Sequence, residues 1–215
     1  MKKLILAFSA MLMLVACDNS ARIVDCVDGC SLEDDITVVE ETSGVEELIE
    51  QENAYRELLG QNPLSQGLKC TLYTVPNGTS QIVGATLSKV TDFIYKGTFN
   101  QPVSSASDGL NVLPSGLRSL YTSWFVVRCT GKLVVEEANY YQLDLTSDDG
   151  ANLYVGGSLL INNDGNHAPS TKSASKLLRR GVTDFRLDYM QGPAGQQALI
   201  LKAGGELIPA ANFYF

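Results

Sequence analysis

From Asn62-Pro63 onward the chain is a succession of short alternations of apolar and polar residues, cut by turn formers. The pattern is strictest at Asp184–Met190, where Phe185, Leu187 and Tyr189 fall on one side and Asp184, Arg186 and Asp188 on the other. Period two is the side-chain geometry of a β-strand, and a single apolar side means a single buried face. Similar runs are TLYTV, DFIY, SWFVVRCTGKLVV, YYQLDL, NLYVGG, SLLIN, KLLRR and QQALILKA, separated by Gly, Asn, Asp and Pro. Many short strands at this spacing predict an all-β domain over 66–215, an antiparallel, jelly-roll-like β-sandwich. Gln101 to Pro114 reads as a long loop, and neither an internal repeat nor a helix–strand alternation is present.

The preceding residues have a different character. Val45, Leu48, Ile49, Tyr55, Leu58 and Leu59 recur with helical spacing, Ser43 and Glu46 match a capping box, and Gly60 is a stop signal. A short acidic amphipathic helix is therefore expected over 43–60. Residues 17–42 lack a sustained apolar period and read as a tether. At the start, Lys2 and Lys3 precede the apolar run Leu4–Ala16, which is too short to span a bilayer and has the form of a secretory signal. It ends in Leu14-Val15-Ala16-Cys17, which resembles a bacterial lipobox. That resemblance implies a signal peptide over 1–16 and acyl chains, palmitate among them, on Cys17. The expected place is the exported side of a bacterial cell envelope, held to the membrane through that lipid.

Charge is distributed unevenly. Glu33–Glu57 holds ten acids and one base, whereas Gln66–Phe215 holds eleven acids and twelve bases. The formal charge of −8 thus describes the segment before the domain and not a binding face. It also argues against nucleic acid as a partner, since phosphate requires a basic face. The acids of the helix read as a solvated face, with attraction of a partner's basic surface as the alternative. Once Cys17 is assigned to lipid, Cys26, Cys30, Cys70 and Cys129 remain, an even number in an exported chain, which allows two disulfides. Cys26 and Cys30 are close enough to close a small loop. Cys70 and Cys129 lie in strand-like runs, and a bridge between them would stabilise by roughly 4 kcal/mol in the chain-entropy account. A zinc site is the competing use of these thiols, with only one His in the chain to support it.

The residues with chemical potential cluster after YYQLDL. Asp148 and Asp149 are adjacent at a strand end and repel each other unless solvated or bridged by a cation. The loop Asn163-Asp164-Gly165-Asn166-His167 is close in sequence. Calcium takes six to eight oxygens, and the two turns together offer several, although Asp, Asn and Gly are also simply good turn formers. His167, the only His, has no nucleophile motif beside it and reads as a turn residue bonded to its loop. Trp124, Tyr140 and Tyr141 suit sugar stacking in type, but their place inside strand patterns favours packing. A glycosidase would need two carboxylates about 5–10 Å apart across a cleft. Two carboxylates leaving one turn do not suit that, so no enzyme is expected.

Several motifs in order resemble one family. Gly67-Leu68-Lys69-Cys70-Thr71-Leu72-Tyr73, Trp124–Gly131, Ser147-Asp148-Asp149-Gly150-Ala151-Asn152-Leu153-Tyr154-Val155-Gly156-Gly157, Leu160–His167, Arg180-Gly181, Asp188–Pro193 and Ala198–Leu201 are similar to the β-sandwich domain first described in the anthrax protective antigen. The same domain occurs in fungal flocculins and in adhesins. The resemblance implies a cis peptide at the Asp pair and calcium held by Asp148 and Asp149, with sugar hydroxyls completing its coordination. It implies further metal oxygens from the loop Gln191-Gly192-Pro193-Ala194; Ala194 departs from the acidic or amide residue that some calcium-binding members carry, and Gln191 and the carbonyl of Gly192 remain to contribute. Asp148, Asp149, Asn163, Asp164 and His167 are the expected ligand-binding residues. The expected function is a lipid-anchored module for calcium-dependent glycan recognition, with a structural or assembly role beside an envelope protein as the alternative.

Overall fold

The structure is a computed structural model, and it describes residues 44–215. Cys17, Cys26 and Cys30, the signal peptide over 1–16, the tether over 17–42 and the Ser43 cap lie outside the described residues. Helix α1 spans Gly44–Leu58. It is followed by β1 (Leu68–Thr74), β2 (Ser88–Tyr95), β3 (Asn100–Ser105), β4 (Phe125–Val135), β5 (Asn139–Asp148) and β6 (Ala151–Val155). Strands β7 (Ser158–Asn163), β8 (Ser170–Leu178), β9 (Gly181–Gln191), β10 (Gln196–Ala203), β11 (Glu206–Leu207) and β12 (Phe213–Tyr214) complete it.

The strands form two antiparallel sheets. The larger has the order β2-β1-β4-β9-β6-β7, with β12 beside β4; the smaller has the order β11-β10-β5-β8, with β3 beside β10. Period two in β9 works as expected: Phe185, Leu187 and Tyr189 enter the core between the sheets. Phe99, Phe185 and Phe213 form its aromatic centre, with centroids 5.0–6.1 Å apart. Cys70 and Cys129 are directly opposed on β1 and β4, both fully buried, and are joined by a disulfide. That pairing disposes of a zinc site at these two thiols.

The outer face of the larger sheet is covered twice. Val45, Leu48 and Ile49 of α1 pack on Val134, whereas Ile82, from the loop between β1 and β2, packs on Val126 and Met190. Only the first half of α1 uses its apolar stripe, because Tyr55, Leu58 and Leu59 are exposed. Between the two covers, the outward carboxylate of Asp188 is fully buried and receives forked hydrogen bonds from both Arg128 and Arg186. The predicted loop Gln101–Pro114 is more ordered than its sequence suggests. It contains most of β3, and Leu110, Val112 and Leu113 are core residues.

Candidate functional site

Three connections pass between the sheets at one end of the sandwich. Asp148-Asp149-Gly150 leads from β5 to β6, the segment 164–169 leads from β7 to β8, and Gly192–Gly195 leads from β9 to β10. Their convergence brings the adjacent carboxylates, the His167 loop and the Gly192 turn together. Asp148, Asp149, Asn166, His167 and the Pro193–Gln196 turn line a shallow open cleft of about 310 Å³. The peptide between Asp148 and Asp149 is cis.

Asp149 is held from three directions. Its Oδ2 accepts from Gly192 N at 2.8 Å and from Gln191 Nε2 at 3.2 Å. Its Oδ1 accepts from His167 N at 3.2 Å. Asp148 differs: only 5% exposed, its carboxylate has no hydrogen-bond partner among the described residues. Burial raises the Asp148 pKa, the Asp149 charge adds to the rise, and His167 offsets part of it. Asp149 is also raised by burial, against the opposing effect of the Gly192 and His167 amides.

Two glycines leave room for these contacts. A Cβ on Gly150 would stand 2.8 Å from Gly165 N, and one on Gly192 would stand 2.5 Å from Asn166 Oδ1 and 3.1 Å from Asp149 Oδ2.

Gln191 is fully buried, and its amide orientation follows from its surroundings. Nε2 faces three acceptors, namely Asp149 Oδ2, Pro193 O at 3.3 Å and Gln196 O at 3.0 Å. Oε1 faces the Tyr189 hydroxyl at 2.5 Å. That hydroxyl also lies 2.6 Å from Asp148 O, so its single proton is shared between two acceptors. The oxygens expected as metal ligands at Gln191 and Gly192 each already take a hydrogen bond. Gln191 Oε1 is engaged by Tyr189, and Gly192 O accepts from Trp124 N at 2.9 Å. Both residues brace Asp149 as donors.

The other expected ligand residues are also close by. Asn163 Nδ2 donates to Ser147 Oγ at 2.8 Å and to Ser170 O at 3.0 Å. The His167 ring lies between Asn163 O at 3.0 Å and Ala168 O at 2.9 Å. Asp164 turns towards the β1–β2 loop, not towards the cleft. Trp124, at φ 55°, supplies its backbone to Gly192 and Val75. Tyr140 and Tyr141 lie at the start of β5, remote along the strand from Asp148.

A hard cation is compatible with this donor set. Two carboxylates and the Pro193–Gln196 turn line the cleft, although no group of three or more His, Cys, Asp or Glu converges among the described residues.

Residues 121–206 match the family model of the PA14 domain. This region is a PA14 domain. Among solved structures, the PA14 sugar-binding domain from an RTX adhesin is 21% identical, covers 69% of this chain and 97% of its own, with a TM-score of 0.50. The A domain of epithelial adhesin 9 from Candida glabrata, solved with Galβ1-4GlcNAc, is 12% identical over 71% of this chain and 90% of its own, with a TM-score of 0.51. An anti-sigma factor domain-containing protein is 20% identical over 70% of this chain, with a TM-score of 0.52, and the match spans about half of it, 48%. At these identities the likeness is one of fold. No curated protein matches the chain.

Proposed function

We infer that the PA14 domain of this protein is a calcium-dependent glycan-binding module and not an enzyme, displayed at a bacterial envelope by lipid on Cys17. The observation that carries the reading is Asp148. A carboxylate that opens on the cleft, takes no hydrogen bond from the described residues and stands beside a second carboxylate is held there at an electrostatic cost, from partial burial and from its neighbour's charge. A divalent cation removes that cost by neutralising both groups.

Asp148 and Asp149 would hold the ion, with backbone carbonyls of the Pro193–Gln196 turn and water at the remaining positions. Calcium bound there supplies a Lewis-acidic point at which vicinal sugar hydroxyls replace water. This chain's own part is to fix Asp149 through Gly192, Gln191 and His167, and to keep Asp148 oriented through Tyr189 on its carbonyl. The solved adhesin relatives, one a sugar-binding domain and one solved with a galactose-containing disaccharide, support the choice of ligand class.

The test is calorimetric titration of calcium into residues 18–215, with the Asp148→Ala/Asp149→Ala double variant as control, followed by a glycan array with and without chelator. Binding by the wild type alone, and glycan retention that chelator removes, are the expected results. A wild type that takes up no calcium and retains no glycan overturns the reading. In that case the structural role beside an envelope protein takes its place.

A further inference from the structure

We propose that Asp164 is a positioning residue for Asp149, acting across the loop between β1 and β2. The inference rests on the calcium reading of the Asp pair, and adds to it a residue that never touches the ion.

The loop at Thr79–Val83 belongs to no strand and needs an external anchor for its backbone. Asp164 provides one. Its Oδ1 accepts from Ile82 N at 2.7 Å and from Gly165 N at 2.9 Å, and its Oδ2 accepts from Val83 N at 3.1 Å. Three amides on one carboxylate are charge-assisted and fix both partners. The next residues pass this order on. Asn166 donates from N to Ser80 O at 3.1 Å and from Nδ2 to Thr79 O at 3.2 Å, which sets its Oδ1 against Gly192. His167 then presents its N–H to Asp149 Oδ1, while Gly192 presents its own to Oδ2. The loop is thus tied to the segment that carries the His167 amide, and through Asn166 it abuts Gly192, whose amide is the second that orients Asp149. Ile82 anchors the same loop independently, by packing on Val126 and Met190. Clamp and packing can therefore be perturbed separately.

The experiment compares Asp164→Asn with Ile82→Ala in the full-length protein. Asparagine retains the size of Asp164 but turns an N–H₂ towards an amide donor. Calcium affinity is measured by titration of calcium chloride well below the melting temperature. Hydrogen exchange of the His167 and Gly192 amides is followed by NMR in chelator.

For Asp164→Asn we expect affinity to fall about tenfold or more, in the range typical of lost outer-shell partners of a metal site, with faster exchange at both amides. For Ile82→Ala we expect lower thermal stability with affinity held within about twofold, the lone packing loss leaving the clamp in place. Unchanged exchange at His167 and Gly192 in Asp164→Asn overturns the inference, whether or not calcium binds. Equal losses of affinity in the two variants overturn it as well, because they would reduce Asp164 to general loop stability. Absence of calcium binding by the wild type overturns the functional reading and leaves the exchange comparison to decide the positioning role.

Discussion

Replacing Gln191 by Glu separates a brace from a ligand. If Gln191 Oε1 were a metal oxygen, a carboxylate there would add charge to the site and tighten calcium. The hydrogen bonds require the opposite result. The side-chain amide donates towards Asp149 Oδ2, Pro193 O and Gln196 O, all within 3.0–3.3 Å. An ionised Glu would face three acceptors in a fully buried position, so the group would stay protonated and restore one donor. A free Glu titrates near 4.3, and holding it neutral at pH 7 costs roughly 4 kcal/mol at about 1.36 kcal/mol per pH unit. At pH 5 the same cost shrinks to about 1 kcal/mol. A second carbonyl left without its donor adds about 1–3 kcal/mol at either pH. Urea unfolding in chelator should therefore show Gln191→Glu less stable than wild type at pH 7 by about 5 kcal/mol, with about 3 kcal/mol of the gap closing at pH 5. A variant as stable as wild type at pH 7, and tighter for calcium, would refute the brace and restore Gln191 as a ligand.

Four other outcomes follow from the geometry. The raised Asp148 and Asp149 pKa values mean that the metal-free fold binds protons more tightly than the unfolded chain. Their contribution is complete below the ordinary Asp pKa and is lost as pH rises through the folded values. In chelator, wild type should thus lose melting temperature relative to Asp148→Asn as pH rises from about 4, the ordinary Asp value, and calcium should reverse the trend; parallel pH curves for the two proteins would count against it. Asp188→Ala removes the buried carboxylate shared by two guanidinium groups that are themselves about a third exposed and should cost about 1–3 kcal/mol in denaturant unfolding, stability equal to wild type being too high for the arrangement described. Gly192→Ala places a Cβ 2.5 Å from Asn166 Oδ1 and should weaken calcium binding while costing about 1–3 kcal/mol of stability; unaltered calorimetric affinity would show that the turn yields freely. Cys17→Ser should move the protein from the membrane to the soluble fraction of cells, and continued sedimentation with membranes would argue against the lipid anchor.

Much of the sandwich is legible in the chain because burial and period two coincide. In β9 the inward series Phe185, Leu187, Tyr189 is apolar to its last member, and β1 and β4 bring their cysteines to opposed inward positions. The pattern fails where burial is not apolar or not periodic. Asp188 sits on the side that alternation marks as solvent, yet it is enclosed by two arginines and by the layers on the outer sheet face. Strand β3 carries Pro102 and presents no apolar stripe, so it read as loop; its strand character comes from pairing with β10. The Asp pair was visible from its motif, but the roles around it were not. Whether Gln191 turns its amide nitrogen or its oxygen towards Asp149 depends on Pro193 O, Gln196 O and Tyr189, a set of neighbours that no local pattern encodes. Asp164 is the same case over a longer range, since its partners Ile82 and Val83 lie about eighty residues earlier.

The distribution of buried polarity bears on how substitutions at the site should be read. Ser147, Asp148, Asp149, Asn163 and Gln191 are buried together at one end of the sandwich, where the chain crosses between sheets. The apolar cluster centred on Phe99, Phe185 and Phe213 does not depend on them for its contacts. A polar end of this kind is a standing cost in a fold whose core cluster is aliphatic and aromatic. Replacing Asp148 by an uncharged residue removes one unpartnered carboxylate and breaks no hydrogen bond of its side chain. The metal-free domain should therefore hold its stability or gain some, while calcium and glycan binding disappear. That opposition between stability and binding distinguishes a residue kept for a ligand from one kept for the fold. A double readout on Asp148→Asn, unfolding in chelator and titration with calcium, decides between them.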